Sequence, residues 1–417
     1  MNARAEGLIA ALDIGSSKVA CLIANIDGAE GISVRGVGNR ACSGVSAGAI
    51  IDMDDTEKAI RASVDQAEKM ANTTINDVIL SFSSGSPKSH IIEEEITLEG
   101  TAVCEADVDR VLEKARAELD PGDRVILHAF PATFAVDGSF GVKSPVGMYG
   151  NRLAVALHVI TVDAGPLKNL EACVRRAHLN VSNIVLAPYA SGLSAMVEDE
   201  VRMGAACIDI GGGKTGVAIF AQGALVHSET LPVGGDYITE RLARALLTPF
   251  EQAERLKTLN GAAVQDASDT HIEVEVPQLG EGTGDNMVRV ARSALTSVIQ
   301  KELEAVFATL AEKLDASGFA GVAGKRVVLT GGVSQAEGIR DLASDMLGRH
   351  ARIGTPQLIN GLPQAAQNPS FATALGLLVY AADPPPHDQG YGQTKQQKDK
   401  KPKGVFGKLG KWVSENF

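Results

Sequence analysis

One short segment of this chain occurs twice. Ala11-Leu12-Asp13-Ile14-Gly15-Ser16-Ser17-Lys18-Val19-Ala20 returns as Cys207-Ile208-Asp209-Ile210-Gly211-Gly212-Gly213-Lys214-Thr215-Gly216-Val217-Ala218, and 196 residues separate Asp13 from Asp209. Each copy reads as an apolar strand ending in Asp, a glycine turn and a second strand. That is a β-hairpin whose tight turn aims backbone N–H groups at an anion. Two such hairpins facing each other can grip a triphosphate from both sides. An aspartate beside each turn has the wrong charge to hold phosphate directly, but it can hold Mg²⁺, directly or through water, or orient an attacking water. Asp13 and Asp209 are therefore the candidate catalytic and metal-positioning residues. A single hairpin of this kind reads equally well as an ordinary strand and turn; the repetition in both halves favours the phosphate reading.

The rest of the pattern fits two α/β halves. Strand-like runs at Leu8–Leu12, Val19–Ile26 and Ser33–Asn39 precede a helix-like run, Thr56–Met70, and a short apolar strand, Asp77–Ser83. Residues 84–162 read as an inserted α/β subdomain with a helix at Glu105–Glu118 and strands at Arg124–Phe130 and Leu153–Val162. A helix at Leu167–His178, a strand at Val181–Leu186 and a helix at Pro188–Val197 follow. The second half repeats strand, glycine turn and strand, then a helical stretch from Asp236 to about Leu259 and a strand at His271–Val276. A long helix from about Asn286 to Leu314 precedes a strand, Arg326–Leu329. The expected organisation is 1–83, the insertion 84–162, a return to the first lobe over 163–197, a second lobe over 198–360, a final first-lobe helix at 361–381, a disordered linker at 382–403 and a short helix at 404–417. The linker carries Pro, Gln, Lys and Gly with almost nothing to bury.

Two weaker motifs lie in the second half. Val328-Leu329-Thr330-Gly331-Gly332-Val333 ends a strand in bare backbone, against which a flat adenine can lie. In Ala253-Glu254-Arg255-Leu256-Lys257, Glu254 and Lys257 share a helix face, where they contact a ribose or pair with each other. Together with the two hairpins these stretches resemble the actin, heat-shock-70 and sugar-kinase superfamily over residues 7–381. Within it, Val64-Asp65-Gln66-Ala67-Glu68-Lys69-Met70-Ala71, Pro145-Val146-Gly147-Met148 and Ala374-Leu375-Gly376-Leu377-Leu378 are similar to the FtsA family of bacterial cell-division proteins, which also carries a subdomain inserted in its first half.

The resemblance implies an actin-like, two-lobed ATPase fold that binds ATP and Mg²⁺. Asp13, Gly15, Ser16, Ser17 and Lys18 would form the first phosphate loop, and Asp209, Gly211, Gly212, Gly213, Lys214 and Thr215 the second. Gly235 and Asp236 would lie near the phosphates, with Glu254, Lys257, Gly331 and Gly332 around the adenosine. Lys214 stands where superfamily members commonly place Thr or Ser. Leu186-Ala187-Pro188 holds no acid or amide where hydrolysing relatives orient water, so ATP binding with slow or negligible hydrolysis is expected. The family also implies self-polymerisation at the cytoplasmic face of the inner membrane at the division site, recruitment of later division proteins, and binding of the FtsZ tail near the long helix, with Arg292 and Lys301 as candidate contacts.

The C-terminal run Gly404–Phe417 supports the membrane reading independently. On a helical wheel Phe406, Leu409, Val413 and Phe417 share one face, flanked by Val405 and Trp412, the only Trp of the chain; Lys408 and Lys411 lie opposite. At about 21 Å such a helix is too short to cross a bilayer but suits the interface, with lysines attracting anionic phospholipid.

Composition excludes other classes. With 45% hydrophobic and 22% charged residues the body is neither disordered nor a membrane bundle, and a net charge of −12 disfavours nucleic acid as a partner. The start lacks the apolar core of a signal peptide, which gives a cytosolic expectation. Five scattered cysteines (Cys21, Cys42, Cys104, Cys173, Cys207) read as small core residues, and eight histidines in no ligand spacing read as structural or solvated. The competing functions on this fold are a small-molecule kinase, which needs a base for its acceptor hydroxyl, a chaperone ATPase, which needs a substrate domain, and the actin-like protein of type IV pilus assembly.

Overall fold

A computed structural model describes residues 7–27, 31–280, 287–319, 321, 324–357, 359–388 and 391. The duplication seen at the two hairpins extends to two complete sheets. In the first, the strands run in the order Asn180–Leu186, Asp77–Phe82, Gly7–Ile14, Lys18–Asp27, Gly31–Ala41. In the second, the order is His350–Ile353, Arg326–Thr330, Ala205–Ile210, Thr215–Ala221, Ala224–Leu231. In both, the last three strands are antiparallel and the first two join them in parallel. The central strands are buried almost throughout, which is why they read as continuous apolar runs rather than alternating ones.

Helices cover these sheets. Met53–Ala71 starts at an Asp52 cap that accepts from the Asp54 and Asp55 amides at 2.9 and 3.0 Å, and ends at Asn72 in the left-handed region. Its Ala59, Ile60, Val64 and Ala67 are buried. The helices Ala187–Ala195 and Ala372–Ala382 pack against each other between the lobes. Small residues allow that approach: a side chain at Gly376 would overlap the backbone carbonyl of Ala190.

The insertion forms its own antiparallel sheet, ordered Lys88–Thr97, Arg152–Asp163, Arg124–Val136, Ser139–Val142, with the helix Glu105–Glu118 packed on it. Its core is separate, built on Val108, Val111, Leu112, Leu153, Val155 and Leu157. Each such side chain contributes roughly 1.5–3 kcal/mol on burial. A smaller layer of the second lobe packs the helices Gly235–Leu246 and Phe250–Asn260 and the hairpin Glu273–Pro277/Met287–Ala291 against the helix Arg292–Ala316 around Leu242, Leu256, Val276 and Leu295.

Several expectations are corrected. The helical stretch 236–259 is two helices, broken at Leu247, which turns left-handed, and at Pro249. The long helix begins at Arg292, because Met287–Ala291 is a strand. Cys104 is exposed at a helix start, its thiol donating to Asp107 at 3.1 Å; the other four cysteines are buried. Linker behaviour does not begin at 382. Asp388 is buried against the body, accepting from the Ala129 amide at 3.1 Å and the Tyr380 hydroxyl at 2.8 Å, and bonding His128 Nδ1 at 2.9 Å. The Leu186 amide donates to His128 Nε2 at 3.1 Å, so the ring carries its proton on Nδ1 and donates it to Asp388. The remainder of the expected linker, apart from Tyr391, and the whole segment 404–417 with Val405, Phe406, Lys408, Leu409, Lys411, Trp412, Val413 and Phe417 lie outside the described residues. Among the described residues no helix is long and apolar enough to cross a membrane.

Candidate functional site

The two hairpin turns are closed by the same bond: the Gly15 amide donates to the Lys18 carbonyl at 2.9 Å, and the Gly211 amide to the Lys214 carbonyl at 2.9 Å. Asp13 pairs with Ala20 across one hairpin, and Asp209 with Gly216 across the other. Lys18 and Lys214 are thus equivalent, and so are Val19 and Thr215. That corrects the expectation for Thr215. It is a buried strand residue whose hydroxyl donates to the Val233 carbonyl at 2.8 Å, which leaves Lys214 as the side chain leaving the turn.

The turns face each other across the lobes. A side chain on Gly213 would meet Ser16 and the Ala47 amide, and one on Gly212 would meet Ser17 and Asp236 at about 3.3 Å. A third element joins them. The hairpin Val45–Ser46/Ala49–Ile50 has both tip residues, Ala47 and Gly48, at positive φ, as a two-residue type I′ turn requires, and the Gly48 amide donates to Ser16 Oγ at 3.3 Å.

Each aspartate keeps part of its surface accessible while its carboxylate is enclosed. Burial pushes the Asp13 carboxyl above its ordinary pKa against the opposing pull of Ser81 and Lys18, and the Asp209 carboxyl up to about 6. Asp13 accepts from the Ser81 hydroxyl at 2.6 Å, a neighbour on the parallel strand. Asp209 Oδ2 accepts from Ser191 and, at 3.2 Å, from Thr373, one hydroxyl from each inter-lobe helix. Lys18 is held below its ordinary pKa by burial, although both aspartates pull the other way; its ammonium donates to Ser370 Oγ at 2.9 Å and sits 3.7 Å over the Phe371 ring.

Gly235 and Asp236, expected near the phosphates, also converge with Glu254, Lys257, Gly331 and Gly332, expected around the adenosine. Asp236 and Gly235 donate their amides to Gly212 and Gly211 at 2.7 and 2.9 Å. Lys257 Nζ donates to the Gly235 carbonyl at 3.0 Å, to Thr239 at 2.7 Å and to Glu254 at 2.7 Å, so Glu254 and Lys257 pair with each other and brace the start of the neighbouring helix. Burial raises the Asp236 pKa, against Lys257. Val333, just after Gly331 and Gly332, reaches Gly235, and Gly332 faces open space apart from Ser370 Cβ at 3.9 Å. Sequence reading missed Ser81, Ser191, Thr239, Ser370 and Thr373. Thr373 carries a usable signal, since apart from Tyr380 it is the polar residue of an apolar, mostly buried helix; Ser191 is less marked, because its helix also holds the buried Ser194.

The candidate partner residues separate. Arg292 is occupied: its guanidinium donates to the Asn260 carbonyl at 2.8 Å, Asp269 at 3.0 Å and Glu337 at 2.6 Å, which makes it a structural brace rather than a free contact. Lys301 is exposed and lines a groove of about 310 Å³ with Arg241, Ala245, Ser297, Val298 and Glu302.

Comparison with known proteins now decides the family. A cell division protein FtsA from Agrobacterium fabrum is 38% identical over 100% of this chain and 96% of its own length. The chain belongs to the FtsA family of cell division proteins. The family profile "Cell division protein FtsA" matches residues 206–376, and "SHS2 domain inserted in FTSA" matches 84–161. The actin-like fold is shared with a PilM–PilN type IV pilus biogenesis complex (17% identity, TM-score 0.64, 92% of this chain and 100% of that one) and with MreB5 of Spiroplasma citri bound to ADP (13% identity, TM-score 0.52, 90% and 96%). In these FtsA terms, the facing turns join the family's two lobes and the four-stranded unit is its inserted SHS2 domain.

Proposed function

We propose that this FtsA-family chain binds ATP with Mg²⁺ between its two turns, polymerises on the cytoplasmic face of the inner membrane at the division site, and tethers FtsZ there while recruiting later division proteins. The observation that carries the nucleotide part is the pair of enclosed carboxylates, Asp13 and Asp209, each beside a backbone turn and both near Lys18. Two raised carboxyls fit a divalent cation, which restores their charge; Mg²⁺ commonly takes only one or two carboxylates and keeps water and phosphate oxygens for the rest. When bound, the pair would supply charge neutralisation at the phosphates. The chain's own residues do the positioning: the turn amides and Lys18 meet the phosphates, and Gly331, Gly332, Glu254 and Lys257 frame the adenosine. The buried apolar pair Ala187 and Pro188 offers no base for water, which supports slow or negligible hydrolysis.

For FtsZ, the groove beside Lys301 suits an acidic, apolar tail, with Lys301 as the cation because Arg241 there is paired with Glu302 at 3.0 Å. For the membrane, the support is the amphipathic pattern at 404–417. The test is flotation of the protein with anionic liposomes and ATP, full chain against a chain ending at Lys403. The full chain floats and carries FtsZ with it, and the truncated chain stays at the bottom. If both stay at the bottom, the tether reading is wrong.

A further inference from the structure

The chain does not leave the body where its last helix, Ala372–Ala382, ends. It crosses from the first lobe to the insertion and is bonded there at several points. The Arg116 guanidinium, on the insertion's helix, donates to the His387 carbonyl at 3.1 Å. His128 and the Ala129 amide, on its strand Arg124–Val136, bond Asp388 at 2.9 and 3.1 Å, and the Tyr391 amide donates to the Leu127 carbonyl at 3.2 Å. On the first-lobe side the Tyr380 hydroxyl donates to the same Asp388 at 2.8 Å, and Tyr391 packs against the buried core that includes both Tyr380 and Leu127.

The sequence of the crossing suits a fixed path. Pro384, Pro385 and Pro386 each hold φ near about −65°, so little backbone freedom is lost when the segment is laid down. A turn follows, in which the Asp388 amide donates to the Pro385 carbonyl at 3.2 Å, with Pro386 second and His387 third at φ 63°. That is the left-handed position of a type II turn, usually given to glycine, and a histidine holds it only where its surroundings over-determine it. The side chain that this turn delivers, Asp388, is 4% exposed. Burial raises its pKa, but the His128, Tyr380 and Ala129 donors outweigh burial and hold it below its ordinary value.

The place of this anchor sets the length of the tether. Twelve residues, 392–403, separate Tyr391 from the amphipathic pattern that starts at Gly404, against twenty-one, 383–403, for a tail that began at the end of the last helix. Fully extended, these span about 40 and about 70 Å. We propose that residues 383–391 are a strap that roots the C-terminal tail on the insertion, at Tyr391, and so holds the body within the shorter reach of the membrane. This rests on the membrane reading above and adds where on the body the tail is attached.

Hydrogen exchange on the wild-type full chain in solution tests the strap by itself: the Asp388 and Tyr391 amides exchange at least about tenfold more slowly than in the denatured chain. Flotation with vesicles of phosphatidylglycerol and phosphatidylcholine tests the root. Deleting 392–399, which removes no strap bond, leaves four residues, about 14 Å, ahead of Gly404. Flotation then falls at least about fivefold against a full-length chain with Lys395→Ser and Lys398→Ser, which lacks the same two lysines. Adding Asp388→Ala to the deletion frees residues 383–391 and restores flotation. An unprotected Tyr391 amide, or a deletion that floats as well as its lysine-matched control, overturns the strap, and neither result needs a change in the folded body. A wild-type chain that does not float overturns the membrane reading and the tether role with it, whereas slow exchange at Tyr391 still establishes the attachment.

Discussion

Replacing Asp209 with Asn should stabilise the ligand-free protein at neutral pH, although the residue lies in the candidate site. Both hydroxyls that reach Asp209, those of Ser191 and Thr373, donate to the same oxygen, Oδ2. An asparagine carbonyl placed there keeps both bonds, so the change removes charge and little else. Burial moves the carboxyl from its ordinary 3.8 to about 6. Between those values the folded chain holds a proton that the unfolded chain has released, so wild-type stability falls as pH rises through this window. The full difference corresponds to about 3 kcal/mol. Water and salt reaching the accessible part of the residue reduce it, and about 1–3 kcal/mol is expected. Urea unfolding of both proteins at pH 4.5 and pH 7.5 measures it: the advantage of Asp209→Asn is small at the lower pH and grows toward its full value at the higher one, while Mg²⁺-dependent nucleotide affinity falls. An advantage that does not change with pH, or a variant less stable than wild type at pH 7.5, would show that burial of this charge is not what sets its cost.

Three further perturbations test other parts of the structure. Gly376→Ala places a methyl into the Ala190 carbonyl, a backbone contact that no rotamer change relieves; despite a helix-propensity gain of about 1 kcal/mol, a net loss of about 1–3 kcal/mol is expected in urea unfolding. Gly332→Ala meets only Ser370 Cβ at 3.9 Å, so unfolding stability should stay within about 0.5 kcal/mol while nucleotide affinity, read by calorimetry, drops. Asp388→Ala strips the acceptor from His128, Tyr380 and the Ala129 amide together, and a loss of about 3–5 kcal/mol should appear as a lower urea midpoint.

What the sequence made legible follows from how each feature is encoded. The hairpins were readable because a glycine turn after an Asp-ended apolar strand is a local pattern, and its repetition marks two sheets whose strand orders prove to be equivalent. The strand Lys88–Thr97 was not readable: it lies at the edge of the inserted sheet, is half-buried along nearly its whole length, and carries three consecutive glutamates in place of alternation. Met287–Ala291 was absorbed into the following helix because that helix starts without a side-chain cap at Ala291, so nothing local marks the boundary.

Lys214 shows a different limit. Compared with relatives of the fold, a lysine at the place of a threonine reads as a loss; compared with its own first half, 196 residues earlier, it is the partner of Lys18, and the hairpin register makes the second comparison the correct one. The repeat does not predict what each copy is attached to. Asp13 takes its hydroxyl from Ser81 in its own sheet, whereas Asp209 takes two from the helices that join the lobes. Two nearly identical turns therefore differ in their support: the carboxylate of the first is held by its own sheet, and that of the second by the two helices that pack between the lobes. Long-range packing creates that asymmetry, because Ser191 and Thr373 lie 182 residues apart in the chain and are brought to 2.9 Å by the packing of their two helices.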